Sequence, residues 1–292
     1  MTSIDAQPFP REVGPPRDAF RFGQNWQRYV DGYLDQDRER IAAQSLRDLV
    51  GDLQDKTFLD IGCGSGLFSL CAYRAGAARV VSLDVDADAV ESTHRLHARA
   101  GHPDGWTILH RSILDPILAE DVHPADVVYS WGVLHHTGDM YPAIRNAAAL
   151  VAPGGSLAIA IYNRVTDGWL NSDRWWQIKR AYNHTPRRGQ VAMEALYGMY
   201  WFMGRLLSRE NPFREAREYR RSRGMALRTD LVDWLGGYPY EFATVDEIVD
   251  FCEGPCGLRR RKVIPEPGGG TGNNQFVFER GAARESSNVV TT

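Results

Sequence analysis

The segment Phe58-Leu59-Asp60-Ile61-Gly62-Cys63-Gly64-Ser65-Gly66 is a short apolar run that leads through an acid into three alternating glycines. The apolar residues predict a buried parallel strand. Gly62, Gly64 and Gly66 let the chain turn sharply while its backbone presses against a ligand, an approach a Cβ would block. A second strand, Arg79 to Asp84, ends in another carboxylate about 20 residues later, where an acid can accept two hydrogen bonds from ribose hydroxyls. Dinucleotide sites show G-x-G-x-x-G, whereas this chain has its third glycine at 66, so the spacing favours another nucleotide-type cofactor. His135 and His136 lie just past the apolar segment Asp126 to Trp131, where a neutral imidazole can take a proton near pH 7. Glu241, with Asp233 and Asp230, offers carboxylates beside Tyr238 and Tyr240 that can hold an amine or guanidinium, Glu241 taking its proton. Each has a plainer reading: a histidine can simply brace its loop, and the aspartates can be helix-end or surface acids. A metal held by both histidines and Asp139 lacks further placed carboxylates, so no metal is expected.

The elements that must position these groups alternate between strand and helix from Phe58 to Tyr162. In order and spacing they resemble class I S-adenosylmethionine-dependent methyltransferases. Leu59 to Gly66 looks like the family's first motif, Asp84 like its ribose acid, and Ser112-Ile113 like the pair flanking adenine, although many members carry Asp where Ser112 stands. Asp126 to His136 resembles the fourth motif, and Leu150 to Leu157 the turn into the fifth strand. The resemblance implies an α/β fold: a doubly wound, seven-stranded, mostly parallel sheet with a reversed C-terminal hairpin. It implies S-adenosyl-L-methionine as cofactor and S-adenosyl-L-homocysteine as product. Around the cofactor it places Asp60, Gly62, Cys63, Gly64, Gly66, Asp84, Val85, Ser112, Ile113, Ser130 and Trp131, with Trp26 as a lid residue beside Phe22 and Asn25. Around the acceptor it places Trp131, Tyr162, Tyr238, Tyr240 and Glu241, with His135, His136 and Glu241 as candidate bases. Methyl transfer is an in-line displacement that asks the protein for alignment, exclusion of water and, for a hydroxyl or protonated amine, removal of a proton.

Composition agrees with one substantial α/β core plus an added lobe: 292 residues, 43% hydrophobic and 24% charged. No apolar run reaches the roughly 18 residues of a membrane span, and the proline-rich start lacks an apolar signal region, so a cytoplasmic protein without membrane contact is expected. The four cysteines lack zinc-type pairing and read as reduced thiols. The chain divides into a tail and lid segment (1–37), the cofactor half of the core (38–163), a helical cap insertion (164–228), the C-terminal half of the core (229–280) and a flexible end (281–292). Arg38 to Val50, with Ile41, Leu46 and Leu49 near helical spacing, predicts the helix that leads into the core. Leu258 to Ile264 and Gln275 to Glu279 predict the last two strands.

The cap is aromatic and basic, with fourteen arginines and lysines against six acids in an otherwise acidic chain. Its run Arg214, Arg217, Arg220, Arg221, Arg223 interleaves Glu215 and Glu218, the pattern of a solvated helix face, and an anionic partner stays open. Val191 to Leu207 carries a broad apolar face that predicts packing within the cap, with membrane contact or a homodimer as the alternatives. Leu231 to Glu241 reads as a loop. Its Gly-Gly-Tyr-Pro-aromatic-Glu box, with an upstream Trp-Trp-x-x-Lys, resembles a bacterial subgroup of small-molecule and glycan modification. The expected function is methyl transfer to O or N of a small molecule in bacterial specialised metabolism. Methylation of RNA or protein through the basic cap is the second reading. Ser130-Trp131-Gly132-Val133 is not the Asn/Asp-Pro-Pro-aromatic box used on base or amide nitrogens, so a nucleic-acid partner is not expected. A non-catalytic cofactor-binding module is the third.

Overall fold

The structure is a computed structural model that describes residues 34–208, 211 and 227–282, with backbone alone for 227–230. Phe22, Asn25 and Trp26, the Arg214 to Arg223 run and the last ten residues lie outside the described residues.

Seven strands form one sheet: β1 (Thr57–Ile61), β2 (Arg79–Asp84), β3 (Trp106–His110), β4 (Ala125–Trp131), β5 (Val151–Tyr162), β6 (Arg259–Ile264) and β7 (Asn273–Glu279). Their order is β3-β2-β1-β4-β5-β7-β6. The first five run parallel, and β7 is antiparallel to both β5 and β6, which is the expected reversed hairpin. The strand order reverses between β1 and β4, so a crevice opens beyond their C-terminal ends, where ligands bind in open α/β sheets.

Period-two alternation sends neighbouring side chains to opposite faces. Phe58 joins the buried layer under α1 (Gln36–Val50), α2 (Leu67–Arg74) and α3 (Ala87–Arg99), packing with Leu46, Leu70 and Leu96. Leu59 joins the other layer under α4 (Leu118–Asp121), α5 (Met140–Ala149) and α9 (Val245–Glu253), with Ile144 and Ile248. In α1, Leu46 and Leu49 are buried as expected, but Ile41 is 58% exposed. Ala42, one helical turn before Leu46, takes the inward place.

The cap consists of α6 (Ser172–His184), α7 (Arg187–Leu207) and α8 (Leu227–Gly236). Leu231 to Gly236 is therefore helix, not loop, and only Gly237 to Glu241 connects it to the core. Trp175, Tyr182, Leu235, Tyr240 and Phe242 make a separate aromatic cluster. From α7 only Met193 and Tyr197 pack on that cluster; no α7 residue is buried, and Leu196, Met199, Tyr200, Met203, Leu206 and Leu207 face outward. The expectation of packing within the cap thus fails for most of this face, because α6 and α8 meet only one edge of the helix. α9 starts with a capping box: Thr244 Oγ1 accepts from Glu247 N at 3.1 Å and Glu247 Oε2 from Thr244 N at 2.7 Å. No helix among the described residues is long and apolar enough to cross a membrane.

Candidate active site

β1 ends at Ile61, and the 62–66 loop carries the chain into α2 with Gly62, Gly64 and Gly66 at φ +72°, +55° and +78°. Gly62 N and Cys63 N both donate to Leu83 O, at 2.8 and 3.1 Å. Asp84 Oδ2 accepts from Gly64 N at 2.9 Å and Oδ1 from Asp86 N at 2.9 Å. The acid at the end of β2 therefore shapes the glycine loop, and burial still holds its carboxyl above the usual range. Gly62 and Gly66 make room for protein: a Cβ at Gly66 would lie 2.8 Å from Thr93 Cγ2, and one at Gly62 would collide with Val133. Only part of the glycine requirement therefore belongs to a ligand.

Asp60 is buried beneath the loop at the end of a polar string that sequence spacing did not reveal. Its Oδ2 accepts from Ser69 Oγ at 2.6 Å, Ser69 Oγ lies 2.6 Å from Ser82 Oγ, and Ser82 Oγ accepts from Trp106 Nε1 at 2.8 Å. Burial lifts the Asp60 carboxyl to about 7, with Asp84's charge adding to the rise and Ser69 opposing it. Cys63 Sγ sits 3.3 Å from Thr93 Oγ1, and burial raises its thiol well above the ordinary value.

The adenine-side candidates occupy the turn after β3. Ser112 Oγ accepts from Leu114 N at 3.1 Å, while Ile113 is buried and its carbonyl accepts from Asn146 Nδ2 at 2.9 Å. Val85 is 63% exposed, with its carbonyl 2.9 Å from His110 Nε2. Ser130 is buried and spends its hydroxyl on Ile61 O at 2.9 Å, fastening the ends of β4 and β1. Trp131 is 43% exposed at the rim of the crevice.

On the acceptor side, the turn after β4 brings His135 and His136 against Tyr162 at the end of β5, with ring centroids 4.0 and 5.4 Å away. His136 Nδ1 lies 2.6 Å from Pro239 O. A carbonyl only accepts, so Nδ1 carries the proton and the ring's lone pair falls on Nε2. Burial lowers His136 to about 4, against the pull of the Pro239 carbonyl. His135 is fully buried, neither ring nitrogen makes a hydrogen bond of ordinary geometry, and burial keeps it neutral against the pull of the Ala160 backbone. Glu241 reaches the same turn from the cap–core loop. Its N donates to His135 O at 2.9 Å, and its Oε1 accepts from Met140 N at 3.1 Å, capping α5. Its Oε2 is buried without a partner, and burial lifts its carboxyl to about 7. Tyr240 packs on Tyr162 at 5.2 Å, whereas Tyr238 faces Trp176 at 6.4 Å.

Glu241 and Asp233, grouped by sequence, act on different neighbours. Glu241 has Asp139 as its charged neighbour, whereas the field of Asp233 falls on Lys179 and Tyr162, and the Asp230 side chain lies outside the described residues. Lys179 is the group that sequence reasoning passed over. It is fully buried, donates to Trp234 O, and lies 4.1 Å from the Trp234 ring centroid. Burial depresses its ammonium to about 7, with Asp233 opposing. A lysine inside Trp175-Trp176-x-x-Lys179, in a chain with few lysines, was the available signal.

A glycine loop tied to an acid at a strand end, beside the reversal of a 3-2-1-4-5-7-6 sheet, places the chain among the doubly wound α/β proteins that bind a nucleotide-type ligand at this crevice. A family model described as a methyltransferase domain matches residues 26–196, and the chain belongs to that family, the class I S-adenosylmethionine-dependent methyltransferases. It is similar to the ubiquinone biosynthesis O-methyltransferase of Bordetella avium, 32% identical over 126 residues, or 43% of this chain and 50% of that protein. It is also similar to the ribosomal protein L11 methyltransferase of Photobacterium profundum, 34% identical over 109 residues, 37% of this chain and 34% of that one. The chain thus spans about half the length of the first of these relatives, and about a third of the second. The magnesium protoporphyrin IX methyltransferase of Synechocystis, solved with bound SAH, shares the fold at a TM-score of 0.51 and 15% identity, covering 88% of this chain and 94% of that one.

Proposed function

We propose that this chain transfers a methyl group from S-adenosylmethionine to an oxygen or nitrogen of a small molecule, in bacterial specialised metabolism. The observation that carries the reading is the Gly64–Asp84 hydrogen bond at the mouth of the β1–β4 crevice, with the histidine–aromatic cluster across from it. The residues fit the cofactor. Asp84 stands at the end of β2, where ribose hydroxyls bind; Ile113 supplies an apolar wall; and the Asp60 carboxyl lies under the loop. When bound, S-adenosylmethionine supplies an electrophilic sulfonium methyl. The chain's own residues align the acceptor, exclude water and accept a proton. His136, held as the Nδ1–H tautomer, presents its basic nitrogen without competition from protonation at neutral pH. Glu241, with its carboxyl near 7, is the better-matched base for an acceptor that must lose a proton early.

Calorimetry with S-adenosylmethionine, followed by methyl-labelled cofactor with a metabolite pool and total RNA, tests the proposal. Binding with label in small metabolites supports it and yields the acceptor by mass. Label in RNA alone would assign the basic cap as the substrate site, and absence of cofactor binding would sink the proposal.

A further inference from the structure

Four side chains that carry hydrogen-bond donors pack together where α6, α8 and the loop to Glu241 meet the turn after β4. Lys179 Nζ lies 4.1 Å from the Trp234 ring centroid and 4.8 Å from that of Tyr240. Tyr162 joins this group to His135, its ring 5.6 Å from Trp234, 5.2 Å from Tyr240 and 4.0 Å from His135. Lys179, Tyr240 and His135 are completely buried. Trp234 Nε1, Tyr240 Oη and both ring nitrogens of His135 are buried without a hydrogen bond of ordinary geometry, with Ser172 the polar neighbour of Tyr240 and the Ala160 backbone that of His135. Lys179 donates to Trp234 O, a neutral carbonyl, and feels one carboxylate, Asp233. Interiors seldom leave so many polar groups unmet, since each has given up its hydrogen bonds to water without replacement. The unmet groups are mostly donors, so what would satisfy them is an acceptor.

We propose that Lys179, Trp234, Tyr240 and His135 form a subsite for a carboxylate carried by the methyl acceptor. An ionised carboxylate only accepts, through two oxygens with about four lone-pair sites, which matches four donors. The rings of Tyr162, Trp234 and Tyr240 give it apolar walls that suit a flat body. Tyr162, Trp234 and His136 are only half-buried and mark the side from which an acceptor enters. The inference rests on the small-molecule methyltransferase reading and changes the acceptor from the cation suggested by the sequence to an acid.

The test titrates the full chain, saturated with S-adenosylhomocysteine, with benzoate and with its neutral isostere benzamide. Benzoate is expected to bind at least tenfold more tightly. Lys179→Met should remove that preference while leaving benzamide and S-adenosylhomocysteine affinities within twofold. A second variant covers the case in which Lys179→Met fails to fold: Tyr240→Phe removes one buried hydroxyl and should weaken benzoate alone by threefold or more. Equal affinity for the two probes, no benzoate binding, or equal weakening of both by Tyr240→Phe overturns the subsite. A chain that binds no S-adenosylhomocysteine overturns the methyltransferase reading instead, and the subsite with it.

Discussion

Replacing Asp60 by Asn should stabilise the protein at neutral and alkaline pH and leave it nearly unchanged in acid. Asp60 is 3% exposed, and burial raises its carboxyl from 3.8 to about 7. A raised carboxyl means that the native state binds more protons than the unfolded chain between about pH 4 and pH 7, so stability falls as pH rises through that window. At about 1.36 kcal/mol per pH unit, the full rise corresponds to about 4 kcal/mol. Asn keeps an oxygen for the Ser69 hydroxyl, 2.6 Å from Oδ2 in the wild type, and does not titrate. The opposing pull of the Ser69 hydroxyl is already contained in that rise, so the net gain above pH 7 should approach about 4 kcal/mol. Urea denaturation of both proteins from pH 4 to pH 8 measures it. The stability difference should grow steadily with pH and level off above about 7.5. A difference independent of pH would refute the claim that a desolvated carboxylate sits under the glycine loop.

Glu241→Ala should cost about 1 kcal/mol in urea denaturation by uncapping Met140 N at the start of α5, whereas Glu241→Gln, which keeps the accepting oxygen, should cost less than half of that. Under the proposed function, Glu241→Gln should also lower turnover tenfold or more while S-adenosylmethionine affinity by calorimetry stays unchanged; unchanged turnover would remove Glu241 as base. Under the proposed function, in which Asp84 accepts from the ribose hydroxyls, Asp84→Asn should weaken cofactor binding at least tenfold, since a charged acceptor and one tie of the loop to β2 are lost together. Gly62→Ala, at φ +72° and facing Val133, should cost about 2 kcal/mol or more, and adding Val133→Ala should recover only the steric part. Complete recovery in the double variant would mean that the positive φ carries no cost.

How far the sequence reached depends on how local each cause is. The sheet was legible because a buried strand writes itself as a short apolar run: Phe58 to Ile61, Val80 to Leu83 and Val127 to Tyr129 each do so, and turn residues punctuate them. The glycine loop and the Asp84 position follow from spacing along one βαβ unit, and Thr244 to Glu247 capped its helix as its pattern requires. Ile41 was misjudged because helical spacing fixes a face only to within one residue, and Leu231 to Gly236 was misjudged because Gly and Tyr-Pro just beyond it signal a loop that starts later.

The rest is decided by contacts between residues far apart in the chain. Ser69, Ser82 and Trp106 come from three elements, and nothing in their separate surroundings announces a shared path to Asp60. Glu241 caps a helix that begins 101 residues earlier, and Lys179 ends inside a cage whose walls come from β5, α8 and the loop to the core. Sequence alone determined the family, the sheet and the glycine loop with its acid at the end of β2, because these are set by short-range pattern. Tertiary structure decided which polar groups lose water and which partners they meet, since desolvation is a property of the whole packed interior.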